Sequence, residues 1–463
     1  MKTKYLFQKL IDSGLLSTLF LFPLFINIAL ISPADPGHPL IAVNISLADV
    51  ITGIILLLWI LKTMIYNEWK QIKLPPAPVL IFTGAGILSF VNAFSLIQWL
   101  KELIQIIEYF LIFYLLLINN FQTIKRTTLK NSLLVSTSVI LLIAFVQHTF
   151  LKADPYFVKG FFENRNILGT FLCMTVPVAY AELLLCKHNF KKVWMGALLF
   201  IAYLVLVSGS AILSILISLL TVSWLYSRKV FFRFVFAILF LAAVYPLITP
   251  SKNTRSLKEF VSIYEQGSIR ENYYRRLALL GSMNANTLFQ RNIGNNRLSI
   301  TNDRVMSVKM PEIAKGERYQ DMEGTKQIKN RYLEMQASLN MIAENTLTGV
   351  GLGNYQNGIG TYYAELPKVN TAEPNQHNGY LIIASTTGLI GLAALLWLFF
   401  SMLKNGMRRL DFARKGQSLP LGLIGSLLGC MIENMFSYLF VASLMVPLVY
   451  IFFMLYEYPC DHD

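Results

Sequence analysis

Charged residues are scarce in this chain of 463 residues: they make up 14% of it, against about 25% in ordinary soluble proteins. Acidic residues are the fewest, with 26 Asp and Glu against 40 Lys and Arg, and the formal net charge is +14. Apolar residues make up 55% of the chain. So few charges cannot cover several soluble domains, and so apolar a chain is not disordered. The composition therefore indicates a membrane protein.

Cysteine and histidine are also rare, with 4 and 5 residues. The histidines are scattered, and neither H-x-x-x-H nor C-x-x-C spacing occurs. Such spacings are typical of zinc sites. We therefore predict no metal site and no cofactor. No cysteine lies between residues 250 and 376, so we expect no disulfide in that segment.

Long apolar runs, by contrast, are abundant, and a helix that crosses a bilayer needs about 20 such residues. The first run contains Pro23 and has no small-residue cleavage site before Pro33, so we expect it to be a span and not a cleavable signal peptide. The twelve predicted spans are 14–32, 40–61, 78–95, 103–118, 132–149, 167–185, 193–208, 211–226, 231–249, 378–403, 419–436 and 440–456.

The basic residues follow the positive-inside rule when the N-terminus is placed in the cytoplasm. Of the 40 Lys and Arg, 20 then fall in inside segments, 4 in short outside segments and 16 in the long segment 250–376. This topology puts both termini in the cytoplasm and the long segment outside. The positive charge is thus a topology signal, and a nucleic-acid partner is not predicted.

The sequence therefore predicts an all-α polytopic membrane protein with one large extracytoplasmic loop between helices 9 and 10. Its parts are 1–249 with nine spans, 250–377 as a loop with amphipathic helices, and 378–463 with three spans and a cytoplasmic tail. Within the loop, the apolar residues of 331–344 recur with the period of a helix. The apolar face that they form consists of Tyr332, Met335, Leu339 and Ile342. We expect this helix to lie on the membrane or on the other spans.

Three further features of the loop have more than one interpretation. The glycines of Gly349–Tyr355 resemble a dinucleotide loop only superficially, and we expect a turn that ends the helix and lets the backbone pack closely. His377 is predicted in the first turn of the tenth span, where the helix dipole disfavours imidazolium. It is either a neutral general base or a simple helix cap. Arg331, predicted to open a helix, is suited to phosphate contact, although surface ion pairs would also explain the arginines here.

Six segments together resemble the O-antigen ligase/polymerase (WaaL/Wzy) superfamily, as does the topology of twelve spans with one large outside loop. The segments are Phe162–Gly169, Arg275–Leu280, Arg331, Gly349–Tyr355, His377–Leu381 and Gly388–Leu392. The most specific part runs from Arg331 to Leu392.

The resemblance implies a metal-independent glycosyltransferase with a GT-C-like membrane fold in the bacterial inner membrane. Such an enzyme moves a glycan from undecaprenyl diphosphate to an acceptor hydroxyl, such as one of lipid A-core, in lipopolysaccharide biosynthesis. His377 matches the proposed catalytic base, and Arg331 matches an arginine that contacts the diphosphate. The resemblance also implies that Arg165, Arg275 and Arg276 contact the diphosphate. Residues that would support the site are Asn166, Gly351, Gly353 and Asn378.

One departure from the family pattern concerns the start of the eighth span. Many ligases have an arginine after a serine there, but this chain has Ser208-Gly209-Ser210-Ala211. A polysaccharide polymerase of the same superfamily therefore stays open beside the ligase. An alternative of another class is a secondary transporter of twelve spans, but the large insertion after span nine does not fit the internal symmetry of such proteins.

Overall fold

The computed structural model describes residues 2–21, 27–31, 43–121, 124–150, 158–162, 164–206, 208–248, 323–362, 378–410 and 418–457. The chain divides into two units, one of Met1–Arg228 with Tyr319–Asp463 and one of Lys229–Arg318. In the second unit, the described residues form a single helix.

Helices dominate the described residues, with one antiparallel pair of short strands. In chain order the elements are α1 Lys2–Leu21, β1 Asn27–Ile31, β2 Val43–Ser46, α2 Leu47–Ile65, α3 Ala77–Leu88, α4 Leu96–Asn120, α5 Arg126–Thr149, α6 Arg165–Leu185, α7 Asn189–Val205, α8 Gly209–Tyr226, α9 Arg228–Ile248, α10 Glu323–Glu344, α11 Tyr355–Tyr362, α12 Gly379–Arg408, α13 Ser418–Glu433 and α14 Ala442–Tyr456. A 3-10 turn at Ser89–Asn92 follows α3, and the middle of α4, Ile106–Phe113, is π-helical.

A helix overlaps each of the twelve predicted spans. Among the described residues, six helices are long and apolar enough to cross a membrane, namely α2, α4, α5, α6, α8 and α12. Three more apolar helices, at Ala77–Asn92, Ser418–Glu433 and Leu444–Tyr456, are shorter. The chain is thus a polytopic helical protein, and the number of twelve crossings stays a prediction.

The first two spans differ from their predicted bounds. Helix α1 begins at Lys2 and ends at Leu21, and residues predicted to continue it form β1 instead. Proline cannot continue a helix without losing a hydrogen bond, and Pro23 stands just beyond this end. Strand β1 pairs with β2, so α2 begins later than the predicted residue 40. Its start is fixed by a capping box, in which Ser46 and Asp49 bond each other's backbone N–H at 3.2 and 2.7 Å.

Helix α6 is the most enclosed of the six, with 89% of its apolar window buried. Helix α13 packs on it through glycines. A Cβ at Gly422 would lie 2.6 Å from the Cα of Val178 in α6, and one at Gly425 would lie 2.5 Å from Val222 in α8. Small residues let helix backbones approach closely, which is how helices associate in membranes. The three helices α6, α8 and α13 therefore pack closely on one another.

A buried carboxylate near the C-terminal end of α6 contacts three neighbouring helices. Glu182, near the end of α6, is 2.7 Å from the amine of Lys130 and 2.6 Å from that of Lys191. The hydroxyl of Ser418 also donates to Glu182. Because two cations compensate the charge, this carboxylate joins α5, α6, α7 and α13 without leaving an unpaired buried ion.

Helix α10 forms, and the face that packs against α12 is not the predicted apolar face. Met335 and Leu339, predicted on the apolar face, are 43% and 49% exposed. Ala337, Ser338 and Met341 are buried instead, where α10 packs against α12. Small side chains on the packed face allow α10 to lie closely on its neighbours. That the face of Met335 and Leu339 lies on the membrane stays a prediction.

Candidate functional site

The structure describes part of the predicted site. His377, Arg275 and Arg276 lie outside the described residues, as does the side chain of Arg331. The described members of the predicted site are Arg165, Asn166, Gly351, Gly353 and Asn378. The predicted convergence of His377 with the arginines therefore stays a prediction.

Helix bounds correct two details of the prediction. Arg331 lies well inside α10, which begins at Glu323, so it does not open a helix. Helix α12 begins at Gly379, and the side chain of Asn378 accepts the backbone N–H of Leu381 at 3.1 Å. Asn378 is thus the N-cap, and His377 precedes the cap in the chain. Asparagine is a preferred residue at this position because its side-chain oxygen replaces a missing helical acceptor.

Helix α12 is interrupted at Gly388, which has φ 72° and ψ −178°. A break of this kind removes backbone hydrogen bonds from the residues on both sides. The loop that follows α10, residues 345–354 and here called the glycine loop, supplies them. Val350 and Gly351 donate to the carbonyls of Ser385 and Thr386 at 2.8 and 3.1 Å. The N–H of Leu389 donates back to the carbonyl of Thr346 at 2.8 Å.

Glycine is required in this loop because the backbone passes very close to its neighbours. Gly351 has φ 95°, and a Cβ there would lie 2.7 Å from the Cβ of Ala93. Gly353 has φ 68°, and a Cβ there would collide with the side chain of Glu102 in α4. The predicted role of these residues in a closely packed turn is confirmed. The two glycines bring the loop into close contact with the segment that precedes α4 and with α4 itself. That they support a catalytic site stays a prediction.

Asn354 fixes the end of the glycine loop. It is fully buried, and its Oδ1 accepts the backbone N–H of Ser95 at 2.7 Å. Its Nδ2 donates to the carbonyls of Ser95 and Leu352 at 3.2 and 2.9 Å. One side chain thus satisfies several backbone groups that the loop would otherwise leave unpaired.

Tyr355 then joins the loop to α10. Its hydroxyl lies 2.8 Å from that of Ser338 and donates to the carbonyl of Glu334 at 3.2 Å. Burial is the main cause that raises the pKa of Tyr355 to about 12, so the phenol stays neutral and acts as a hydrogen-bond donor. The contact explains why Ser338 lies on the buried face of α10.

The start of α12 rests on the corner that follows α13, residues 433–439, here called the α13 corner. The N–H of Gly379 donates to the carbonyls of Asn434 and Ser437 at 2.8 and 3.1 Å. The hydroxyl of Tyr380 donates to the carbonyl of Met431 at 2.8 Å. Asn378 and its helix are therefore held by the end of α13.

Glu433 connects this corner to α8. The carboxylate is fully buried and accepts the hydroxyls of Ser210 and Ser214 at 3.0 and 2.9 Å. Ser210 belongs to the segment in which many ligases carry an arginine. The sequence prediction missed Glu433, although a carboxylate inside an apolar run is itself a signal of a functional or structural site.

Arg165 and Asn166 begin α6, where the side chain of Asn164 caps the helix by accepting from Asn166 and Ile167 at 2.9 and 3.0 Å. One turn later, a Cβ at Gly169 would lie 2.7 Å from Ala211 in α8. The first turns of α6 and α8 are therefore in contact.

These contacts bring the N-termini of α6, α8 and α12 to one end of the first unit, beside the α13 corner. The geometry thus places Arg165 and Asn378 at the same end of the first unit.

Among the described residues, no group of three or more His, Cys, Asp or Glu is arranged to hold a metal ion. That a metal and a cofactor are not needed stays a prediction.

Residues 194–396 match the family Wzy_C, described as O-antigen ligase. The match contains most of α7, all of α8, the glycine loop, the cap at Asn378 and the break at Gly388. The match supports membership of the O-antigen ligase/polymerase superfamily. Proteins of the superfamily act on lipid-linked glycans and acceptors, and an enzyme of the glycosyltransferase type is thereby indicated. No curated protein matches the chain.

The family match covers only part of the described site. The glycine loop, the cap at Asn378 and the break at Gly388 all lie within the matched region. The α13 corner lies beyond it, yet the corner holds the start of α12. The family region therefore depends structurally on residues outside it.

Proposed function

We propose that the protein is a membrane glycosyltransferase that moves a glycan from undecaprenyl diphosphate to an acceptor hydroxyl at the outer face of the bacterial inner membrane. The observation that carries the proposal is the family match over residues 194–396, which includes the glycine loop and the cap that follows His377. No metal is required in this proposal, because the sugar arrives already activated by its diphosphate.

The reaction breaks the bond between the anomeric carbon and the diphosphate oxygen. His377 takes the proton of the acceptor hydroxyl, the hydroxyl oxygen bonds to the anomeric carbon, and undecaprenyl diphosphate leaves with the electron pair. A general base of this kind typically accelerates a reaction by about 10²–10⁴. The negative charge that develops on the leaving group needs cationic partners, and in this proposal Arg331 and one of Arg165, Arg275 and Arg276 supply them.

Arg165 stands at the first position of α6, at the end of the first unit where α8 and α12 also begin. A guanidinium group binds phosphate oxygens through paired N–H donors, so in this proposal Arg165 is one of the arginines that contact the diphosphate.

The test is transfer by purified protein in vesicles with a lipid-linked glycan donor. We expect His377→Ala to abolish transfer while membrane insertion is retained, because the acceptor proton then has no base. His188→Ala, at an exposed residue before α7, is the matched control and should transfer normally. Near-normal transfer by His377→Ala would contradict the base assignment.

The acceptor separates the ligase from the polymerase, which need the same base and the same diphosphate contacts. Lipid A-core as acceptor should give a product with the ligase, and a lipid-linked glycan alone should be extended by the polymerase. We favour the ligase on the description of the matched family.

A further inference from the structure

We propose that the contact between Gly379 and Asn434 is a positioning device for catalysis, through which the α13 corner sets the direction of the turn that leads to the proposed base. The inference rests on the proposed function, since it assigns a purpose to the chain that directly follows His377. It concerns the described residues of the turn, Asn378–Tyr380, and of the corner.

The contact is unusually close. Gly379 is buried, and its N–H is shared between the carbonyls of Asn434 and Ser437 at 2.8 and 3.1 Å. A Cβ on Gly379 would collide with the side-chain oxygen of Asn434 and lie 2.9 Å from the carbonyl oxygen of Ser437. The backbone of the turn therefore lies directly on the corner, with no space for a side chain between them.

Glycine at this position is explained by the contact and not by helix formation. It is the first residue of α12, and glycine is a poor helix former compared with alanine. The helix already has a good N-cap in Asn378. Close approach to Asn434 is the feature of the structure that alanine would prevent.

The corner is itself held firmly. The Oδ1 of Asn434 accepts the N–H of Leu439 at 3.4 Å, which closes the corner on itself. The neighbouring Glu433 binds Ser210 and Ser214 of α8. A displacement of the turn would therefore have to displace a corner that is bound to a second helix. Rigid support of this kind is what a catalytic group needs, because small errors in position lower the rate steeply.

The experiment compares kcat and the donor KM of three variants with those of the natural chain: Gly379→Ala, Asn434→Ala and the double variant. We expect Gly379→Ala to lower kcat at least tenfold with donor KM changed less than threefold. Asn434→Ala removes the side chain that the new Cβ meets, so the double variant should be faster than Gly379→Ala and no faster than Asn434→Ala alone. Gly196→Ala, in α7 with no atom within 4 Å of the added Cβ, should be neutral.

Asn434→Ala alone keeps the inference testable where Gly379→Ala does not fold. It introduces no collision, and we expect kcat per folded molecule to fall about fivefold, as measured after size exclusion in detergent. A purely structural role would lower the thermal stability or the yield and leave kcat unchanged. Wild-type kcat in Asn434→Ala or in Gly379→Ala would overturn the inference, and so would a double variant no faster than Gly379→Ala.

His377→Ala separates this inference from the proposed function. If His377→Ala is inactive and Gly379→Ala has full kcat, the positioning role alone is wrong. If His377→Ala transfers normally, the proposed base is wrong whatever the glycine variants do.

Discussion

The backbone N–H of Val350 donates to the carbonyl oxygen of Ser385 over 2.8 Å. This bond replaces one that α12 loses at its break, so the glycine loop completes a helix to which it does not belong. In return, the N–H of Leu389 donates to the carbonyl of Thr346. The loop and the two halves of α12 are therefore one structural unit, and α10 is joined to the apolar helices through it.

The first prediction concerns the break itself. Gly388→Ala should lower the thermal stability, because φ 72° with ψ −178° is a conformation for glycine and a Cβ would collide with the carbonyl of Leu347. Strained backbone of this type costs about 1–3 kcal/mol. The measurement is thermal unfolding in detergent. Gly84→Ala in α3, where an added Cβ meets nothing within 4 Å, should be neutral or slightly stabilising, and equal midpoints for the two variants would contradict the prediction.

The second prediction concerns the anchor of the loop. Asn354→Ala removes the acceptor of Ser95 N–H and two donated bonds. Buried polar groups left unpaired cost about 1–3 kcal/mol, so the free energy of unfolding should fall by that amount. Asn92→Ala is the matched control, since this exposed side chain bonds Thr348 at 2.8 Å in the same region. If Asn92→Ala destabilises the protein as much as Asn354→Ala, the anchor role is wrong.

Much of the helical architecture was predictable, because apolar runs of the required length dominate the sequence. A helix overlaps each predicted span. The predicted span 14–32 extends too far because the apolar run continues past Pro23, whereas the helix ends at Leu21. The close packing of the glycine loop also followed from the sequence, since repeated glycines favour backbone approach.

The contacts between distant segments were not predictable from the sequence alone. Glu433 lies 219 residues from Ser214, its hydrogen-bond partner, and no local pattern connects them. Asn434 is a polar residue within an apolar run, but its contact with Gly379 requires the corner after α13 to reach the start of α12. The burial of Ser338 in α10 was not predictable for a similar reason, because its partner is Tyr355 of the next helix.

The third prediction tests the diphosphate contact proposed for Arg331. Arg331→Lys keeps the charge but loses the planar pair of donors that suits phosphate oxygens. We expect kcat/KM for the lipid-linked donor to fall about tenfold or more, which corresponds to one charged hydrogen bond of about 1.5–3 kcal/mol. Arg408→Lys, at an exposed residue near the end of α12, is the control. Full activity in Arg331→Lys would argue against a diphosphate contact.

The fourth prediction concerns the acid stability of the first unit. Glu68 is 2.5 Å from the amine of Lys4 and 3.5 Å from that of Lys62. Burial is the largest single influence and raises the pKa of Glu68, but the two lysines together outweigh it and hold the pKa below its ordinary value of 4.5. Between the lowered pKa and 4.5, the unfolded chain binds more protons than the folded chain, so stability rises with pH.

The contribution of Glu68 should therefore be fully present above pH 4.5 and be lost as the pH falls through the lowered pKa of the folded state. Glu68→Gln removes the titrating group, so we expect a lower thermal midpoint at pH 7 and a weaker loss of stability on acidification. The measurement is thermal unfolding in detergent across this pH range. A Glu68→Gln variant whose midpoint falls with acid as steeply as that of the natural chain would assign the acid sensitivity to other carboxylates.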